Sequence, residues 1–194
     1  MRRLAAIEFL TVDGVMQGLG SPDEDTEGGF THGGWGARYA PAIQGPSGEE
    51  GLGATTAYLF GRKTYEKMAA FWPFQPAENP IAAHLNATPK YVATRTLATL
   101  EWAGSQVLDG ELGAAVSDLK SDGDGTVAVL GSGVLVHELM TRDLVDELRL
   151  FVHPLLLGTG KRLFRELPAP RELQLMDSST TSMGTLVLRY SVQR

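Results

Sequence analysis

The chain has 194 residues, 43% of them hydrophobic, a formal charge of −6 and no cysteine. That length suits one domain, spanning 1–194, with a sizeable core. The acidic balance excludes a broad basic footprint for nucleic acid, and the missing cysteines exclude disulfides, a thiolate nucleophile and cysteine-ligated zinc.

The first residues are basic and then briefly apolar. Glu8 and Asp13 interrupt that run, which is too short for a signal peptide or a bilayer span. The expectation is a soluble, cytoplasmic protein. Residues 4–12 read as a buried strand, and Asp13-Gly14 as the turn after it. Residues 18–53 change character: Gly and Pro abound, periodicity is lost, and six acids face a single base, Arg38. A stretch of that kind inside a compact domain is read as a functional loop. Its aromatics Phe30, Trp35 and Tyr39 argue against plain disorder, and Phe30 and Trp35 make it a candidate lid. A short helix is expected over 49–56.

Residues 57–61 predict a strand, and 62–72 a helix stopped by Pro73. Strands follow at 90–94 and 105–108, then a helix over 110–122. A buried strand at 126–131 leads into a helix over 132–143. Residues 146–158 predict one long strand interrupted at Pro154. The last two strands, at 171–177 and 184–192, are joined by a Ser/Thr-rich stretch. Strands alternating with helices predict an α/β fold with a mostly parallel sheet, and the strand-rich end predicts an antiparallel edge.

Three strand ends carry similar chemistry and are read as strand-to-helix corners: Gly61-Arg62-Lys63-Thr64, Thr94-Arg95-Thr96 and Gly131-Ser132-Gly133. A helix N-terminus presents unpaired amides and the positive end of the helix dipole. Glycine lets the backbone approach a phosphate, and a neighbouring base adds full charge. Three such corners suit a ligand with more than one phosphate. The "LLLGTGKRLF" stretch fails as a P-loop, because Leu155 stands where the first glycine belongs.

The segments "FLTVDGVM", "GRKTYE", "ATRT", "VLGSGVLVHELM" and "VDELRLFVHPLLLGTGKRLF", in that order along nearly the whole chain, resemble the dihydrofolate reductase-like superfamily. Within it they are most similar to the reductase domain of the riboflavin-biosynthesis deaminase-reductase. No zinc-deaminase signature is present, so the resemblance is to a stand-alone reductase domain. It implies a three-layer α-β-α fold with a mixed, mostly parallel eight-stranded sheet and antiparallel C-terminal strands. It also implies NADPH as cofactor, a small-molecule substrate and a homodimer, with no nucleic acid or membrane partner.

Carried onto this chain, the resemblance has Arg62 and Lys63, after Gly61, hold the adenosine 2′-phosphate. Thr64 caps the helix and touches the pyrophosphate, and Thr94 and Arg95 flank the adenosine. Gly131, Ser132, Gly133, Val134 and Leu135 cradle the pyrophosphate and nicotinamide ribose, while Val12, Asp13, Gly14 and Met16 lie along the nicotinamide. Phe30, Trp35, Tyr65 and His153 are candidate substrate contacts, and Asp13, Trp35 and His153 the candidate catalytic residues. His153 is either a packed histidine with both nitrogens satisfied or a proton donor facing the substrate. Arg38, Lys161 and Arg162 are candidates for a substrate phosphate.

The chain departs from dihydrofolate reductase in one respect. The stretch "GGFTHGGWGARYA" holds no carboxylate to anchor a pterin. Three functions are therefore open: NADPH-dependent reduction of a small pteridine- or pyrimidine-like heterocycle, reduction of 5-amino-6-(5-phosphoribosylamino)uracil, and nucleotide binding without turnover. No metal is expected, because no histidine pair has ligand spacing.

Overall fold

A computed structural model describes residues 1–43 and 54–193. Its strands are β1 (Arg3–Thr11), β2 (Thr55–Gly61), β3 (Lys90–Ala93), β4 (Ser105–Val107), β5 (Thr126–Leu130), β6 (Glu147–His153), β7 (Leu173–Thr180) and β8 (Leu186–Val192). They form one eight-stranded sheet in the order β4-β3-β2-β5-β1-β6-β8-β7. The first six run parallel; β8 pairs antiparallel with both β6 and β7. The mixed sheet with an antiparallel C-terminal edge is the one expected.

Among the described residues, four helices of eight residues or more cover the sheet: α1 (Arg62–Phe71), α2 (Pro80–Ala87), α3 (Leu112–Ser121) and α4 (Gly133–Thr141). Side chains alternate across a strand, so β1 serves two cores at once. Leu4, Ala6 and Leu10 join Val116 and Leu119 of α3 and Val136 and Leu139 of α4 on one face. Tyr58 and Phe60 of β2, Tyr65 of α1 and Leu85 of α2 form a second cluster on the other. Leu59, Leu139 and Leu148 are fully buried, and burial of each such side chain stabilises the fold by about 1.5–3 kcal/mol.

The strand order reverses between β2 and β5. The chain leaves β2 through α1 toward one sheet edge, and leaves β5 through α4 toward the other. The crevice at such a switch point, outside the carboxyl ends of the strands, is where α/β sheets bind ligands.

Several expectations need correction. β2 begins at Thr55, inside the helix expected over 49–56; the remainder of that helix, 49–53, lies outside the described residues. The strand expected over 146–158 ends at His153, because Pro154 has no N–H for the ladder. Leu155–Gly158 is loop instead. No helix follows Thr94: its Oγ1 accepts from the amides of Thr96 (3.2 Å) and Leu97 (3.1 Å), closing a turn rather than opening a helix. Helix α2 was not expected. Asn79 caps it, with Oδ1 accepting from the amides of Ile81 (3.0 Å) and Ala82 (3.2 Å), and Pro80 takes the first helical position.

Candidate active site

The two helix N-termini at the switch point touch. The Gly61 amide donates to Ser132 Oγ at 3.0 Å. A Cβ added at Gly131 would lie 3.5 Å from the Thr64 methyl group. Thr64 therefore faces the other corner; Gly61 is the N-cap of α1, with no side-chain capping bond, so Thr64 is not the cap. Gly131 (φ 62°) and Ser132 (φ 66°) both sit in the left-handed region, where a serine costs roughly 1–2 kcal/mol. Such local strain collects at ligand-binding turns. Gly133 has no positive φ; what its missing side chain provides is space. A Cβ there would overlap Met16 Sδ. The cradle above the α4 N-terminus is thus filled by one flexible thioether.

Around this crevice the nicotinamide-side candidates divide. Val12 and Val134 are exposed, while Leu135 is buried in the core. Gly14 makes the turn, its amide donating to Thr11 O at 2.8 Å with φ 79°. Asp13 is a clasp. Its carboxylate accepts from Thr11 Oγ1 (2.6 Å) and from the amides of Gly158 (2.8 Å) and Leu157 (3.3 Å). The Thr11 bond, helped by those amides against a desolvation cost, holds Asp13 below the usual carboxylate range, so it has no proton to give at neutral pH.

The described part of the stretch expected to be a lid, residues 18–43, is packed onto the site; 44–53 lie outside the described residues. Phe30, Trp35 and Tyr39 form a buried cluster with Val15, and Trp35 Nε1 donates to Gln17 O at 2.7 Å. Gln17 Nε2 in turn donates to the carbonyls of Asp25 (3.1 Å) and Glu27 (2.9 Å). The acids of this loop meet the bases of the site. Glu27 Oε2 accepts from Lys63 at 3.1 Å and from Lys161 at 2.6 Å, and Asp25 accepts from Lys161 at 2.8 Å. The Lys161 and Lys63 hydrogen bonds hold Glu27 below its usual range. For Asp25 burial works the other way, and the Lys161 bond and its neighbours more than offset it. Arg62 pairs with Glu66 at 2.9 Å, one helical turn on. Arg162 pairs with Asp13 at 3.7 Å, Arg38 lies over the Tyr39 ring at 5.2 Å, and Arg95 is exposed.

His153 is fully buried at the end of β6. Its Nδ1 shares a hydrogen bond of 2.9 Å with Thr185 Oγ1, while Nε2 has no partner among the described residues. Only one nitrogen is satisfied. Tyr39 stacks on the ring at 4.6 Å, and Trp35 meets it edge-on at 5.5 Å. Burial pushes its pKa down to about 4, so the ring is neutral at pH 7 and is not an imidazolium acid. Tyr65 belongs to the core: its hydroxyl accepts from the Trp102 amide at 3.1 Å.

The sequence reading missed two residues of this region. Gln17, buried, ties the lid to the loop before Leu163: its Oε1 accepts from the Lys161 amide at 2.9 Å. Glu8, buried within β1, was read only as an interruption. An acid inside an apolar strand was the available signal.

The model of the RibD C-terminal domain family matches residues 8–187. The chain belongs to that family. RibD C-terminal domains are reductase-like. The chain is 27% identical to the uncharacterized protein YyaP of Bacillus subtilis over 135 residues, 68% of this chain and 71% of YyaP. Among solved structures, a putative riboflavin biosynthesis protein from Shewanella sp. PV-4 has a TM-score of 0.73 at 19% identity, covering 99% of both chains. A pyrimidine reductase-like protein from Corynebacterium diphtheriae has a TM-score of 0.58 at 13% identity, covering 100% of this chain and 92% of its own. RibD of Acinetobacter baumannii has a TM-score of 0.59 at 15% identity, and the match covers 59% of that longer chain. Those structural likenesses concern the fold. Among the described residues no helix is long and apolar enough to cross a membrane, and no cluster of three or more histidine or acidic side chains is placed to hold a metal.

Proposed function

We propose that this RibD C-terminal domain is an NADPH-dependent reductase that transfers hydride to a small pteridine- or pyrimidine-like heterocycle. The observation that carries the reading is the contact between the two helix N-termini at the switch point, Gly61 to Ser132, with Arg62 and Lys63 beside it. Adjacent amide-rich corners fit the two phosphates of a dinucleotide, and the basic pair fits a third. NADPH supplies the hydride; the protein positions the rings and excludes water. Phe30 and Trp35, already packed in the loop, serve as that cover. The reduction also takes up one proton, and with Asp13 ionised and His153 neutral at pH 7 that proton comes from solvent rather than from either side chain.

The test is NADPH titration followed by cofactor oxidation against a panel of small heterocycles that includes 5-amino-6-(5-phosphoribosylamino)uracil. Turnover of any member is the expected result. Tight binding with no turnover across the panel would leave a nucleotide-binding protein, and no binding at all would end the cofactor reading.

A homodimer is proposed as well. β7 is an edge strand exposed along its whole length, with Leu175 and Met176 each 51% exposed. Such an edge invites pairing, and a second copy of the chain is the partner that would cover it. Sedimentation velocity at micromolar concentration is expected to show a dimer; a stable monomer would contradict it.

A further inference from the structure

Glu8 stands in the middle of β1, on the face that carries Leu4, Ala6 and Leu10 into the core beneath α4. It is 1% exposed, and its Oε1 has no hydrogen-bond partner among the described residues. An unpaired carboxyl oxygen in an apolar core is costly, and nothing in strand formation calls for glutamate at this position.

The register locates the carboxyl. Ile7 pairs with Leu130, and the Gly131 amide donates to Ile7 O at 3.0 Å. Glu8 is therefore level with Gly131 on one side and with Leu150 on the other. Gly131 presents only backbone to β1, since a Cβ added to it would point at Thr64. Two residues further on, Gly133 opens α4 against the Met16 thioether. A buried, unpaired acid thus stands level with the residue that leads into α4, whose first residue packs against a flexible thioether.

We propose that Glu8 recognises the carboxamide end of the dinucleotide, its carboxylic acid pairing with the primary carboxamide of the nicotinamide ring over the Gly131–Gly133 corner. This rests on the NADPH reading above. An acid and a primary amide are complementary in two points: the acid O–H donates to the amide carbonyl, and the amide N–H donates to the acid carbonyl. A carboxylate would meet the amide carbonyl with no proton to offer, and would also repel the nearby phosphates. Burial supplies the form required, since it raises Glu8 to about 8.

Among the described residues, no charged group faces Glu8 from the elements packed around it. β6 carries Glu147, Arg149 and His153 on its opposite face, β5 carries no titratable side chain, and His137 and Glu138 lie outside the buried stripe of α4. Lys120 of α3 pairs with Asp146 at the other end of the sheet. Asp13 and Arg162 pair with each other, and Lys161 with the lid.

The experiment titrates wild type, Glu8→Leu and Glu8→Gln with NADPH and with adenosine 2′,5′-bisphosphate, which lacks the nicotinamide. Glu8→Leu is expected to weaken NADPH roughly tenfold or more and to leave the bisphosphate unchanged. In wild type the NADPH-to-bisphosphate affinity ratio is expected to fall as pH rises through about 8. In Glu8→Gln, whose amide cannot ionise, the ratio is expected to stay flat. Wild-type affinity for both ligands in Glu8→Leu overturns the proposal, as does a pH-dependent ratio that survives in Glu8→Gln. If Glu8→Leu does not fold, the pH profile of Glu8→Gln alone decides. Failure of wild type to bind either ligand overturns the cofactor reading itself, and this proposal with it.

Discussion

Replacing both Arg62 and Lys63 by alanine is expected to raise the dissociation constant for NADPH by roughly 30- to 100-fold while leaving NADH within about twofold. Charge-assisted bonds to a phosphate contribute about 1.5–3 kcal/mol each when well formed. The pair together falls below two such bonds, at about 2–2.7 kcal/mol, for two reasons. Both side chains are substantially exposed, so water screens them. Both are also engaged before a ligand arrives: Arg62 with Glu66, and Lys63 with Glu27. A 2′-phosphate must displace those carboxylates, and only the difference appears as affinity. Glu27 also bridges to Lys161, so loss of the Lys63 contact leaves it a partner. Equal weakening of NADPH and NADH in the double variant would mean that these bases act on the shared part of the ligand, or merely support the helix.

The same contacts explain what the sequence could and could not show. The composition of residues 18–53 marked an acidic, glycine-rich loop, and the bases of the site were each visible. Their pairing was not. Lys161 and Glu27 are separated by most of the chain, and only the packed fold brings them to 2.6 Å. The motif-bearing segments located β1, β2, β5 and β6, because each joins a short apolar run to a glycine or proline that stops it. Corners at Gly61 and Gly131 were legible for the same reason. The corner at Thr94 was misread, since a threonine hydroxyl after a strand caps a turn as readily as it opens a helix. α2 was missed beside Pro73 and Pro76, where prolines read as loop, although Asn79-Pro80 carries both helix-start signals. His153 shows a further limit. Its place on a strand was readable, but the partner of Nδ1 is Thr185, contributed by the end of a distant hairpin.

Glu8 was the least legible residue, and its replacement by glutamine is expected to stabilise the fold in a pH-dependent way. An ordinary glutamate titrates at 4.5, and burial raises Glu8 to about 8 in the folded chain. Between those values the unfolded chain has released the proton and the folded chain has kept it. Stability therefore falls as pH rises through this window and levels off above it. Each unit of difference corresponds to about 1.4 kcal/mol, so glutamine, which has no proton to lose, should gain roughly 3 kcal/mol at pH 7 relative to pH 4.5, and nearly 5 above pH 8. Asp13, Asp25 and Glu27 have lowered values and produce the opposite slope at acid pH. They are common to both proteins and cancel in the difference. Denaturant melts of wild type and Glu8→Gln at pH 5, 7 and 8.5 measure it. A stability difference that is the same at all three would mean that Glu8 is already ionised and paired in the folded chain. A difference that grows with pH would show an acid held neutral at a cost to the fold, as expected of a group retained for what it binds.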